Sequence, residues 1–264
     1  MHQLLKRLAL VLPLLALPAL AHAALSEDLN GIAYRQRPGA RLPLETTLRD
    51  ENGRALRVSE LFNGPPLILL LGYFHCPKLC SVARAALFSA LHDSGLIAGR
   101  DYTLAAVSID PSEGAAAASG AKTAEVERFA APGAQRHWRF LTGEATALRS
   151  LEAAVGYDDR FDEGRAAFAH PVGVVFLTSK GVVSNYLLGL GYTVDDVRRA
   201  TARAASGDIV PPMSPLLLLC FDFDPTTGRY TLAVMKALRW GAGATVALVV
   251  VMAFRTFRKE SWRA

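Results

Sequence analysis

Hydrophobic residues along this chain occur either in short continuous runs or at helical spacing. The runs at residues 65–74 and 101–110 are apolar almost throughout, which is typical of strands that are buried on both faces of a sheet. Apolar residues recur with helical spacing in four other stretches: residues 81–93, 121–131, 144–155 and 193–206. This alternation of strands and helices predicts an α/β domain.

Two further segments have the pattern of paired strands. Residues 42–62 contain two short strand-like runs around a turn at residues 51–53, followed by a helical turn. In residues 173–189, Ser179-Lys180-Gly181 separates two β-branched runs, which predicts a hairpin. A hairpin placed after alternating strands and helices predicts a sandwich with a mixed central sheet, and residues 24–41 form a polar, irregular lead-in to it.

The N-terminal residues have the layout of a secretory signal peptide. Lys6 and Arg7 precede an apolar stretch at residues 8–20, and Ala21-His22-Ala23 offers a cleavage site of the small-x-small type. An uncleaved anchor helix is the alternative, but the prolines and the shortness of the apolar run disfavour it. The sequence therefore predicts that residues 1–23 are removed on export.

The C-terminal end of the chain is also hydrophobic. Residues 240–254 carry no charge. Extending this run back to Leu232 gives the length of about 20 residues that a bilayer requires, but it includes Lys236 and Arg239, whose long side chains could reach the headgroups. The basic tail at 255–264 favours the cytoplasmic side by the positive-inside rule. We expect a transmembrane helix at 231–254 after a linker at 207–230, although a buried core helix is the alternative.

Charge adds little to this picture. The formal net charge of +5 is partly concentrated in the segments that flank the two hydrophobic ends. No basic run with interleaved aromatic residues occurs elsewhere, so the sequence predicts no nucleic-acid partner. The expected location is a bacterial inner membrane, with the soluble domain facing the periplasm.

Two of the three cysteines stand in the stretch GYFHCPKLC, residues 72–80. Cys76 follows a predicted central strand and Cys80 lies in the first turn of the next predicted helix, where active sites gather and thiolates are favoured. A thioredoxin-type redox motif has two residues between its cysteines, whereas three separate this pair. A metal site, a redox pair and a structural disulfide all remain open, and two soft thiolates would suit Cu(I).

A third ligand would favour the metal site, and four histidines remain after cleavage of the signal peptide. His75 should face away from Cys76 if both lie along a strand, and His92 and His137 are expected at the surface. His170 precedes Pro171 and a predicted strand, so it could enter the sheet beside the strand that leads to Cys76, but a satisfied loop histidine is at least as good an interpretation of the sequence.

Two other residues with chemical potential have simpler interpretations. Cys220 stands in an apolar stretch, where a free cysteine usually behaves as a small hydrophobic residue. Asp110 precedes Pro111 at a strand end and is expected to form a turn rather than to act as an acid catalyst.

The motif GYFHCPKLC, then VSIDPSE, then FAHPVGVVFLTSKGVVSNYLLG, resembles the Sco/SenC copper proteins in content and order over residues 42–206. The resemblance implies a thioredoxin-like fold and copper, as Cu(I) or Cu(II), held by Cys76, Cys80 and His170. It implies a metallochaperone rather than an enzyme, which delivers copper to the CuA centre during cytochrome c oxidase assembly. The implied partners are the CuA-bearing subunit and other periplasmic copper carriers.

The chain departs from many members of that family at Ser81, where Pro is common, and at Lys78, where an acidic residue is common. The usual anchor is N-terminal, whereas the predicted anchor here is C-terminal. A rival function is a thiol–disulfide reductase, which needs both Cys76 and Cys80 but not His170. A peroxide-reducing enzyme is a third possibility, but the sequence offers no clear residue to orient the peroxide.

Overall fold

The computed structural model describes residues 32–75, 79–164 and 167–211, together with Gly243 and Thr245. Within these residues the helices are α1 (Leu79–Asp93), α2 (Ala115–Phe129), α3 (Ala134–His137), α4 (Ala145–Val155) and α5 (Val194–Ser206), and a 3-10 helix spans Val58–Leu61. The strands are β1 (Ala33–Tyr34), β2 (Thr47–Arg49), β3 (Ala55–Arg57), β4 (Leu67–Gly72), β5 (Thr103–Ser108), β6 (Trp138–Leu141), β7 (Tyr157–Asp158), β8 (Arg160–Asp162), β9 (Ala167–Ala169), β10 (Gly173–Leu177) and β11 (Val183–Leu188).

The central sheet has five strands in the order β11-β10-β4-β5-β6. The three strands β4, β5 and β6 run parallel, whereas β10 pairs antiparallel with both β4 and β11. The sheet is therefore mixed, as the sequence predicts. The short pairs β1–β7, β2–β3 and β8–β9 lie outside it and are all antiparallel.

Apolar side chains cover both faces of this sheet and divide the core into two layers. One layer contains Phe88 of α1, Ala118 of α2 and Val197 of α5. The opposite layer contains Leu148 of α4 and Leu48 of the β2–β3 hairpin. Because β4 lies between these two layers, its side chains are buried alternately in one and then the other, which explains its continuous apolar sequence.

Most predicted elements are present, with shifted ends. The hairpins at 42–62 and 173–189 form as expected, and α5 begins with a capping box in which Thr193 and Asp196 bond reciprocally. Helix α2 begins at Ala115 rather than at residue 121, because its first turns consist of small residues without an apolar stripe. The lead-in is more ordered than its composition predicts, since β1 pairs with β7 and Arg41 forms an isolated bridge with Val182.

Both predicted hydrophobic ends, the signal peptide at 1–23 and the transmembrane helix at 231–254, lie outside the described residues apart from Gly243 and Thr245. Among the residues that the structure describes, no helix has the length and apolar character needed to cross a bilayer.

One buried and one exposed residue of helix α1 test how much the core contributes to stability. Phe88 is fully buried, and its ring centroid lies 4.4 Å from that of Trp138. Phe88→Ala should lower the free energy of unfolding by about 3–5 kcal/mol, because the cavity can close only partly. Val82 is 54% exposed on the same helix, so Val82→Ala should change stability by no more than about 0.5 kcal/mol. Urea denaturation of a fragment covering residues 24–230 would measure both, and similar losses for the two variants would contradict this core assignment.

Candidate metal centre

The candidate site lies at the carboxyl end of β4. This strand ends at Gly72, whose carbonyl accepts a hydrogen bond from the backbone N–H of Ile109 at 3.0 Å, just beyond β5. The chain then turns through Tyr73, Phe74 and His75 before α1 begins at Leu79. The parallel strands β4 and β5 thus end at the same edge of the sheet, which is where ligand sites of open α/β sheets are found.

Cys76 is the first residue of the gap at 76–78 in the described chain, and Cys80 follows shortly after it. Cys76 lies outside the described residues, and of Cys80 the structure describes only the backbone, in the first turn of α1. The positions of both sulfur atoms therefore remain predictions. The described chain leads away from Gly72 as far as His75 and resumes as helix at Leu79.

The imidazole of His170 packs over this same end of β4. A Cβ atom added to Gly72 would lie 3.8 Å from His170 Cε1. The His170 ring stacks on Tyr157 with centroids 6.1 Å apart, and it meets Tyr73 edge-on at 5.7 Å. The structure thereby places the His170 ring beside the strand that leads to Cys76, while His170 itself lies in the connection between β9 and β10.

The surroundings of His170 favour the neutral imidazole. Its Nδ1 lies 3.0 Å from the carbonyl oxygen of Pro171, and since a carbonyl only accepts, Nδ1 carries the proton and Nε2 bears the lone pair. Burial lowers the pKa of His170 below its ordinary value, although the hydrogen bond to Pro171 and the charge of Asp159 oppose this change. A neutral ring with an oriented Nε2 is the form in which histidine binds metals.

Tyr157 reaches His170 because of the way α4 ends. The helix stops at Gly156, whose backbone is left-handed at φ 67°. A Cβ at this position would lie only 1.9 Å from the carbonyl oxygen of Arg35, so the close approach also requires glycine. The chain then enters β7, which pairs Tyr157 with Tyr34 and holds its ring against the histidine.

A buried carboxylate anchors the turn that leads to Cys76. Glu113 Oε2 accepts hydrogen bonds from the backbone N–H of Phe74 at 2.8 Å and from Ser108 Oγ at 2.6 Å. Its Oε1 accepts from the backbone N–H of His75 at 2.9 Å and lies 2.7 Å from His75 Nδ1. The Glu113 side chain is 5% exposed, so these contacts are shielded from water and fix the turn to the end of β5.

Two further buried acidic residues, Glu152 and Asp159, lie near the segment that carries His170. Arg149 Nη1 lies 3.0 Å from Glu152 Oε2 and 2.5 Å from Asp159 Oδ1, and the side chains of both acids are buried. Burial, reinforced by the neighbouring charge of Asp159 and opposed by Arg149, raises the pKa of Glu152 to about 7. One arginine therefore holds two buried acids together at the point where α4 gives way to the strands that lead to His170.

The remaining candidates are not drawn to the site. His92 and His137 are exposed on α1 and α3, as expected of surface histidines. Asp110 Oδ1 accepts from the backbone N–H of Ser112 at 2.8 Å, which makes it a turn former. Cys220 lies outside the described residues. Within the described ranges, no group of three or more His, Cys, Asp or Glu side chains could hold a metal ion by itself.

Sequence reasoning missed the residues that hold the site in place. Glu113 belongs to the VSIDPSE motif, yet nothing in the motif shows that it bonds to a turn 38 residues earlier. Tyr73 and Tyr157 are ordinary apolar positions in the sequence, and only the tertiary structure shows that they enclose His170. His75 was expected to point away from Cys76 along a strand, but β4 ends at Gly72 and His75 lies in the turn instead.

Comparison with known structures finds the same α/β fold in several solved proteins. A protein from Aquifex aeolicus VF5 with a proposed role in electron transfer superimposes with a TM-score of 0.56 and 22% identity, over 65% of this chain and 96% of the other. Copper-bound ScoI of Arabidopsis thaliana gives a TM-score of 0.51 and 17% identity, with 65% and 99% covered. A SCO1/SenC family lipoprotein from Bacillus anthracis gives 0.52 and 17%, with 66% and 99% covered.

The sequence itself defines the family. The SCO1/SenC family model matches residues 36–204, which is more than half of the chain, and this protein therefore belongs to the SCO1/SenC family. No curated protein matches the chain significantly.

Glu152 should make stability depend on pH. Its pKa rises from 4.5 to about 7 in the folded protein, so the folded state holds a proton that the unfolded state releases. The stabilisation is therefore complete below about pH 4.5 and is lost as the pH rises towards 7. Glu152→Gln cannot ionise, and relative to wild type it should gain on the order of 1–3 kcal/mol between these limits.

Urea denaturation at several pH values would measure this difference. The exposed Glu127→Gln on α2 is the matched control, and its curve should run parallel to that of wild type. A constant offset between Glu152→Gln and wild type across this range would contradict the assignment.

Proposed function

We propose that this protein is a membrane-tethered, periplasm-facing copper chaperone that delivers copper to the CuA centre during cytochrome c oxidase assembly. The observation that carries the proposal is the neutral imidazole of His170, which packs over the end of β4 from which the chain leads to Cys76. Membership of the SCO1/SenC family and the likeness to a copper-bound ScoI support it.

The proposed ligands are Cys76, Cys80 and His170. Two thiolates are soft donors that suit Cu(I), and the imidazole nitrogen adds a donor that Cu(II) prefers. The described residues fit this role, because the hydrogen bond to Pro171 leaves the lone pair of His170 on Nε2 and burial keeps the ring neutral. Three donors suffice for one ion, so we expect one copper per chain.

A site for cargo must release its metal as well as bind it. His170 lies in the connection between β9 and β10 rather than inside a regular element, and loops at the edge of a rigid sheet combine fixed supports with access. The rings of Tyr73 and Tyr157 pack against the imidazole on two sides. Such a site suits transfer by ligand exchange with an acceptor.

Replacing His170 separates the chaperone from the rival reductase. A thiolate pair alone can hold Cu(I) in two-coordinate form, whereas Cu(II) depends on nitrogen. Each ~1.4 kcal/mol corresponds to about tenfold in affinity, so His170→Ala should weaken Cu(II) binding by on the order of a hundredfold or more. It should also impair oxidase assembly while leaving the Cys76–Cys80 disulfide able to form.

Copper titration of purified protein, with cellular oxidase activity alongside, would measure these effects. His92→Ala is the matched control and should bind copper like wild type, whereas Cys76→Ser or Cys80→Ser should abolish both copper binding and disulfide formation. If His170→Ala retains full copper affinity and supports normal oxidase assembly, the three-ligand site is wrong and the reductase takes its place.

The proposed membrane topology can be tested separately. The cleavage site at Ala21-His22-Ala23 and the basic tail at 255–264 predict an exported domain with a cytoplasmic C-terminus. A reporter fused after Ala264 should be active if it requires the cytoplasm and inactive if it requires the periplasm. The reverse pattern would overturn this topology.

A further inference from the structure

His75 and Glu113 form a pair that the three-ligand site does not explain. The carboxylate of Glu113 is 5% exposed, whereas the side chain of His75 is 75% exposed, and 2.7 Å separate Glu113 Oε1 from His75 Nδ1. The residue that follows His75 is Cys76, the first of the proposed ligands. An exposed imidazole is thus tethered from one side at the edge of the proposed site.

This tether fixes which nitrogen of His75 is available. A carboxylate oxygen accepts hydrogen bonds, so His75 Nδ1 is the nitrogen that donates to Glu113, and Nε2 is the nitrogen left to offer a lone pair to a metal ion. The same arrangement, in which a carboxylate holds one ring nitrogen and the other binds the ion, is typical of histidines that ligate metals. The exposed Nε2 edge of His75 is therefore the edge that can act as a ligand.

Anchoring of the turn does not require this side chain. The backbone N–H groups of Phe74 and His75 already donate to Glu113 at 2.8 and 2.9 Å, and any residue except proline at position 75 could make the second bond. What the imidazole adds is a third bond that orients its own ring. The structure thus holds in one direction a side chain that would otherwise move freely in water.

We propose that His75 Nε2 is an accessory copper ligand, which binds the ion transiently as it enters or leaves the site formed by Cys76, Cys80 and His170. Glu113 is the positioning residue that holds the ring. In this step one Cu–N bond forms while one bond to the site or to the other carrier breaks. No electron is transferred, because copper keeps its oxidation state, and any proton on Nε2 passes to water as the Cu–N bond forms. The inference rests on the proposed copper chaperone function.

The test compares the rate of copper release with the affinity at equilibrium. The full mature chain, loaded anaerobically with Cu(I) in detergent, is mixed with the chelator bathocuproine disulfonate in a stopped-flow spectrometer. His75→Ala should slow transfer by about tenfold or more, because the nitrogen that stabilises the transfer intermediate is missing. Its equilibrium affinity for Cu(I) should stay within about threefold of wild type, since the resident ligands remain. His92→Ala, which removes an exposed histidine from α1, should transfer at the wild-type rate.

Glu113→Gln tests whether the carboxylate acts through His75. It should slow transfer in the wild-type background but cause no further loss when His75 is already alanine, because the ring that it positions is gone. Equal losses in both backgrounds would make Glu113 a structural anchor only and would overturn its positioning role. If Glu113→Gln does not fold, His75→Ala alone still decides the accessory ligand, because an exposed side chain is replaced.

The remaining outcomes would each overturn a specific part of the proposal. A wild-type transfer rate for His75→Ala, or an equal loss for His92→Ala, would overturn the accessory ligand. A large fall in the equilibrium affinity of His75→Ala would overturn transient binding, because His75 would then be a resident ligand. A wild-type chain that retains no copper would overturn the proposed function together with this inference, whereas retention without any effect of His75→Ala would overturn the inference alone.

Discussion

The burial of β4 on both faces and both edges is the constraint on which the rest of the structure depends. Helices cover one face, α4 and the β2–β3 hairpin cover the other, and β5 and β10 occupy its two edges. A strand enclosed in this way can present functional groups only where it ends. The chain beyond Gly72 is the carboxyl end of this central element, and the two proposed ligand cysteines follow it in sequence.

Supports from two distant parts of the chain, together with Tyr73 beside Gly72, converge on that end. Glu113, from beyond β5, holds the turn after Gly72, while Tyr157, from beyond α4, and Tyr73 pack against the ring of His170. None of these supports needs the metal in order to form, because all are hydrogen bonds or ring contacts within the protein. The surroundings of the proposed ligands are therefore built by the fold itself, which lowers the cost of ordering them when an ion binds.

The parts of this architecture that local sequence dictates could be predicted, and the parts that depend on distant contacts could not. The apolar runs of β4 and β5, the turn before Val183 and the caps of α5 at Thr193 and Gly207 are all local signals, and the structure contains each of them. By contrast, β6 is only four residues long and β1 only two, and their pairing depends on partners far along the chain. The grouping of His170 with Cys76 and Cys80 as ligands is what the family resemblance implies. The structure adds that the His170 ring packs against Gly72.

The antiparallel pairing of β10 with β4 also has a consequence for the order of events in a newly made chain. Both cysteines are synthesised well before His170, and β10 can dock only after the intervening helices have closed a long loop, which is a slow kind of contact to form. If the chain is exported as proposed, the thiols meet an oxidising compartment before their imidazole partner is in place. Synthesis order then favours a disulfide between Cys76 and Cys80 as the first stable product. A thiol reductant would have to act on each new molecule once before it could carry any metal.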